Sequence, residues 1–131
     1  VEALYPAVDF EGYVEDVSKA YAKASVYLQM STTENMSMSV IDSLRHGLPS
    51  VVTNVGGLNE IVIDGVTGFV VKPGEVAEAV RHIERLLSDS NLWIRMSEAS
   101  QHRYAQHFSP GRWYSDMRDL HDQVFAPGCF R

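Results

Sequence analysis

The run Thr33-Glu34-Asn35-Met36-Ser37-Met38-Ser39-Val40-Ile41-Asp42-Ser43-Leu44-Arg45-His46-Gly47-Leu48-Pro49 sets two carboxylates, Glu34 and Asp42, eight positions apart around a short polar turn. Apolar stretches flank it, residues 25–30 before and Ser50-Val51-Val52-Thr53 after. From Ser37 to His46, Met38, Ile41 and Leu44 recur every three positions, a helical spacing. Gly47, with Pro49 two residues on, ends that helix. The run is therefore the loop and helix between two strands. In open parallel sheets such a loop is where ligands bind. The unpaired N–H groups of the helix start suit an anion, such as a diphosphate. Glu34 stands at that mouth.

Working outward, strands and helices alternate. Residues 7–10 read as a short strand ending at Gly12, and residues 15–24 as a helix carrying Val17, Ala20, Tyr21 and Ala24. Residues 25–30 form a strand. Ser50 to Asn54, rich in Val, suits burial in a parallel sheet. Gly56-Gly57 opens a short helix through Val62, Asp64-Gly65 is a turn, and Gly68 to Lys72 is the last strand. The second half is helical: Glu75 to Ser88, Asn91 to His107, and a helix begun by Ser109-Pro110, a capping Ser with Pro at the first position. Pro127-Gly128 ends it. This alternation predicts an α/β, Rossmann-like three-layer domain with a small parallel sheet and C-terminal helices. Four strands are few, so a truncated start or a partner covering one sheet edge is expected.

Composition narrows the function. The chain has 131 residues, enough for one domain with a real core. Its net charge of −6, with scattered Lys and Arg, gives no nucleic-acid footprint. No apolar run reaches membrane-spanning length, so no transmembrane segment is expected. Cys129 is the one cysteine, which excludes an internal disulfide and fits a reducing compartment. Five histidines, His46, His82, His102, His107 and His121, are spread without an i,i+4 pair or clustered thiols, so no metal site is expected. Trp93, Trp113, Tyr104 and Tyr114 read as helix-packing residues rather than sugar platforms. Gly56-Gly57 reads as a tight turn into a packed helix, since G-x-G-x-x-G spacing is absent. The chain begins at Val1 without an initiator Met, and is expected to be one piece, residues 1–131, of a longer protein.

Taken in order, Glu34 to Asp42, His46-Gly47-Leu48-Pro49, Val51-Val52-Thr53, Val55-Gly56-Gly57-Leu58-Asn59-Glu60-Ile61-Val62, Asp64-Gly65 and Thr67-Gly68-Phe69 resemble the C-terminal half of a family 4 retaining glycosyltransferase. Val8 to Val14 resembles the piece preceding it. The resemblance runs from about Val8 to Leu87. It implies half of a GT-B fold, two Rossmann-like lobes facing a cleft, this lobe holding the nucleotide-sugar donor. It implies a hexosyltransferase-type enzyme, whose isolated lobe would be inactive. The loop at Thr33 to Met38 then matches an E-x7-E motif. Glu34 takes the catalytic position, facing the donor sugar. The amides of Met36, Ser37 and Met38 hold sugar hydroxyls or diphosphate, and Asp42 grips the ribose.

Three positions depart from the family pattern. Asp42 is one methylene shorter than the usual Glu, so it reads either as a ribose ligand or as an exposed helix residue. Ser37 stands where Gly is common, and a side chain there would crowd the donor or change the backbone angle. Met36 replaces a frequent aromatic. The family's basic pair, usually Arg and Lys, would lie upstream of Val8. The resemblance further implies a metal-independent reaction with no cofactor besides the nucleotide-diphosphate sugar. The partners implied are that donor and an N-terminal lobe or partner subunit, in a cytoplasmic protein or one peripheral to the membrane at full length. Charge building on the leaving diphosphate is best met by helix N–H groups and cations, and an oxocarbenium-like sugar by a nearby carboxylate. Two other readings stay open. One is a non-catalytic module of the same fold that stabilises a subunit through the open sheet edge and last helix. The other is a sugar-nucleotide epimerase lobe, whose own acids are not found here.

Overall fold

Four consecutive buried residues, Ser50–Thr53, make a strand covered on both faces. The computed structural model describes residues 7–125. Within it, β1 (Tyr27–Gln29), β2 (Ser50–Thr53) and β3 (Gly68–Val71) form one parallel sheet in that order. Leu28, Val51 and Phe69 share one register line, and Gln29, Val52 and Val70 the next.

Alternation along β2 divides the core. Val52 points to a cluster with Val40, Ile41 and Leu44 of α2 (Met38–Arg45) and Leu58 and Ile61 of α3 (Leu58–Ile61). Val51 points the other way, to Phe69 and Val71 of β3, to Ala79 and Leu86 of α4 (Val76–Ser88), and to Leu92 and Met96 of α5 (Ser90–Arg103). Each buried Leu contributes about 1.5–3 kcal/mol, so these two apolar layers on either face of the sheet hold the domain together.

The expected α/β, three-layer class is observed, with corrections at its margins. Residues 7–14 form no strand, and Val8 and Phe10 are half exposed. Their alternation could make a strand only by pairing with a sheet edge, and neither β1 nor β3 takes them. The sheet therefore has three strands among the described residues, not four. The first helix shrinks to α1 (Ser18–Lys23), begun where the Asp16 carboxylate accepts the Ser18 N–H at 3.1 Å. The helix expected to run to His107 ends at Arg103 and widens into a π-helical turn, Tyr104–Phe108. Tyr104 and Phe108 there pack on the Val52 side of the sheet, so the chain wraps from one face to the other. The last helix, α6 (Pro110–Val124), starts as expected, the Ser109 hydroxyl accepting the Arg112 N–H. Pro127-Gly128 and Cys129 lie outside the described residues. Among those residues no helix is long and apolar enough to cross a membrane.

Side-chain bonds pin the C-terminal helices to this frame. Trp93 donates its indole N–H to the Ser25 carbonyl at 2.6 Å. Ser100 donates to the Thr67 carbonyl at 3.1 Å. Arg103 donates to the carbonyls of Ile61 and Glu60, closing the end of α3. Burial lowers the pKa of its guanidinium.

Candidate functional site

The loop 30–37 leaves the carboxyl end of β1 and delivers the chain to α2. Three anchors fix it. The Thr53 hydroxyl donates to the Ser31 carbonyl at 2.6 Å. The Gly57 N–H donates to the Asn35 carbonyl at 2.7 Å. The Gln29 side chain binds Glu34 and Ser37. Gly56, at φ 51°, lies so close that a Cβ there would stand 1.9 Å from the Glu34 carbonyl oxygen. Gly56-Gly57 is thus the bed on which the loop rests. Its Gly57 N–H is already used, as a tight packed turn requires and a phosphate cradle does not.

Glu34 is half-buried. Its carboxylate accepts from Gln29 Nε2 at 2.6 Å and from the Asn35 N–H at 3.1 Å. Beyond Asn35, the N–H groups of Met36, Ser37, Met38 and Ser39 meet no acceptor among the described residues. They form an arc of open donors at the positive end of α2. Ser37 is buried and is the N-cap of α2, accepting the Val40 N–H at 3.4 Å. Its φ of −88° is ordinary for any residue. Of the two effects expected of a side chain here, a changed backbone angle or a crowded donor, the structure shows a Ser37 that adopts ordinary extended backbone and turns its hydroxyl to the cap.

Asp42 lies one helical turn beyond Met38 on the same face of α2. Its carboxylate makes no hydrogen bond or ion pair among the described residues, although its charge is felt at Tyr21. Tyr21 donates to the Ser39 carbonyl at 3.0 Å and stacks on His46 at 5.1 Å. Its phenol is pushed up to about 12, first by burial, then by Tyr27 and Asp42.

Met36 and Met38 are exposed. With Ile41 they wall one side of a groove of about 620 Å³, and Phe108, Trp113 and Tyr114 wall the other. Glu34 is not among its walls. Trp113 and Tyr114 are 57% and 68% exposed, so the packing role expected for them is not what the structure gives. The histidines lie on separate elements: His46 caps α2, His82 stacks on Phe69 at 4.0 Å, and His121 pairs with Asp122. Among the described residues no three His, Cys, Asp or Glu side chains are grouped to hold a metal ion.

The structure therefore gathers Glu34, Ser37 and the 36–38 amides around one helix start and sets Asp42 one turn along. Sequence reading missed Gln29 and Tyr21. Gln29 is a single polar position in an apolar stretch and Tyr21 reads as one more position on a helix face, so their roles appear only when strand end, loop and helix meet.

The family profile described as "Glycosyl transferases group 1" matches residues 1–89. Sulfoquinovosyl transferase SQD2 of Arabidopsis thaliana is 35% identical over 89 residues, 64% of this chain and 17% of that protein. Among solved structures, sucrose-phosphate synthase from Thermosynechococcus elongatus superposes at TM-score 0.77 with 26% identity, over 84% of this chain and 28% of that one. Anabaena Alr3699/HepE, solved in complex with UDP, superposes at 0.86 with 24% identity, over 92% of this chain and 34% of its own, and speaks for the fold alone. The chain spans less than a third of the length of the curated relatives it matches. The fold is thus that of a C-terminal GT-B glycosyltransferase lobe, and the chain belongs to the glycosyl transferases group 1 family.

Proposed function

We propose that residues 1–131 are the donor-binding lobe of a retaining, family 4 glycosyltransferase that moves a hexosyl group from a nucleotide-diphosphate sugar to an acceptor. The observation that carries this reading is the arc of open N–H groups at Met36 to Ser39, beside the held carboxylate of Glu34. Such an arc binds a diphosphate and meets the charge that grows on it as the sugar departs. Glu34 faces the sugar and orients its hydroxyls while offsetting positive charge at the reacting carbon. Asp42, with no hydrogen bond of its own among the described residues, takes the ribose hydroxyls. The donor sugar is the only small molecule the reading requires, and it assigns no role to a metal. Two solved structures of the same fold, complexes of Anabaena Alr3699/HepE with UDP and with UDP-glucose, support the choice of ligand class. The acceptor side, and a basic pair for the diphosphate, come from the rest of the enzyme, an N-terminal lobe or partner subunit. That enzyme works in the cytoplasm, free or at the membrane surface.

A second reading, a non-catalytic module, draws on the exposed apolar residues of α6, Trp113, Tyr114, Met117 and Leu120. One experiment separates the two. Titrating the chain with UDP, GDP and ADP while recording amide NMR spectra should shift Met36 to Asp42 with at least one of them. No shift with any, together with a mass in solution above the monomer, would overturn the donor site in favour of the module.

A further inference from the structure

We propose that Gln29 is the positioning residue of this site, aiming the Glu34 carboxylate and tying it to the cap of α2. The inference rests on the donor-site reading for its functional meaning, though not for its geometry. A primary carboxamide offers two donors and two acceptor lone pairs. All four are used. Nε2 donates to Glu34 Oε2 at 2.6 Å and to Ser31 Oγ at 3.1 Å. Oε1 accepts from the Ser37 hydroxyl at 2.9 Å and the Tyr27 hydroxyl at 3.0 Å. The orientation is forced, because an ionised carboxylate only accepts, so the amide nitrogen must face Glu34.

Proton directions follow around the ring. Ser37 spends its proton on Gln29, so in the 3.0 Å contact between Ser37 and Ser39 the Ser39 hydroxyl donates. Ser37 Oγ then accepts from Ser39 and from the Val40 N–H. One side chain at the end of β1 thereby joins the acid, the loop and the first turn of the helix. With Nε2 holding one carboxylate oxygen and the Asn35 N–H the other, Glu34 stays off the open arc at Met36 to Ser39. Released, it would fall on that arc and compete with a diphosphate.

Gln29→Glu tests this by exchanging the donor for an oxygen. Two carboxylates at such a separation resist ionising together, so the pair holds a shared proton until one apparent, raised pKa is passed. Among the described residues the titratable group bonded to Gln29 besides Glu34 is Tyr27 of β1, and through it come Tyr21 of α1, its ring 6.1 Å from that of Tyr27, and Asp42 of α2, whose charge acts on Tyr21. Gly56 and Gly57 present backbone alone. These groups are common to wild type and variant, so the difference between their profiles isolates the pair. Carboxyl ¹³C NMR should give one carboxyl at least about one unit above the ordinary Glu value near 4.3. UDP affinity should match wild type below that pKa and fall roughly tenfold relative to it above, as the repelled Glu34 occupies the arc.

Two ordinary carboxyl titrations with parallel affinity profiles would overturn the proposal. Should the variant unfold as its pair ionises, Gln29→Leu serves instead. It should weaken UDP binding at every pH and speed hydrogen exchange at Asn35. Wild-type behaviour of that variant would likewise overturn it. If wild type ignores UDP, GDP and ADP while the carboxyl pair still titrates high, the donor-site reading fails and the hold of Gln29 on Glu34 stands.

Discussion

At position 56 the backbone turns to φ 51°, a region that costs an L-residue about 1–2 kcal/mol. A Cβ there would also lie 1.9 Å from the Glu34 carbonyl oxygen, and backbone cannot swing aside as a side chain tip does. Gly65 provides the control, with a similar φ of 72° and nothing within 4 Å of its virtual Cβ. Gly65→Ala should therefore cost about 1–2 kcal/mol, the conformational term alone. Gly56→Ala should cost clearly more, about 3 kcal/mol or above, because clash adds to strain. Urea denaturation measures both, and equal losses would show that the loop does not rest on Gly56. Single residues were partly legible in the sequence. Glu34, Ser37 and Asp42 stand out because they fall in the E-x7-E pattern that the resemblance supplies, at the mouth of a helix whose apolar period is clear. Gln29 does not, since a lone amide at a strand end reads as any solvated polar residue. Its four bonds join a residue two positions back and residues two, five and eight positions on, a pattern without periodicity.

Among the elements, α1 has no buried residue of its own and is held to α2 through Tyr21. The phenol reaches the first turn of α2 at Ser39 and its ring covers His46 at the helix end. The folded phenol keeps its proton to about pH 12, whereas the unfolded chain releases it near 10. Between those values the unfolded state binds fewer protons, so stability falls as pH rises. The contribution is complete below about pH 10 and is lost as pH climbs through the folded value. Tyr21→Phe should remove this slope. Urea midpoints of wild type and variant should converge between about pH 10 and 12, and midpoints that stay parallel would contradict the latch. The helices and strands around β2 were legible because their apolar periods are strong and their ends carry Gly, Pro or Ser. Residues 7–10 misled because a short apolar run is necessary for a strand but not sufficient without a sheet edge to pair with. The π turn at Tyr104–Phe108 was hidden because one extra residue in a turn barely alters an apolar period.

For the whole molecule, the sheet separates two cores that do different work. Leu44 and Leu86 are both fully buried, one under α2 and the other under α4. Truncating either to Ala should cost about 2–5 kcal/mol through lost transfer energy and a residual cavity. A domain of ordinary stability, roughly 5–15 kcal/mol, survives one such loss. The functional consequences should differ. Leu44 sits two turns along the helix whose start carries the open N–H groups, and Ser43 beside it bonds Ser50 at 2.8 Å. A close-packed interior transmits a cavity's strain to what lies on it. Leu86 lies across the sheet, in a core cluster that holds no residue of α2, and sites without shared partners act independently. Leu44→Ala should thus weaken nucleotide binding several-fold under conditions where both variants stay folded, while Leu86→Ala leaves it unchanged. Calorimetric titration with whichever nucleotide shifts Met36 to Asp42 decides the matter. Equal weakening by both variants would mean that affinity tracks global stability, and that the seat of α2 on the Val52 face is not what aims the site.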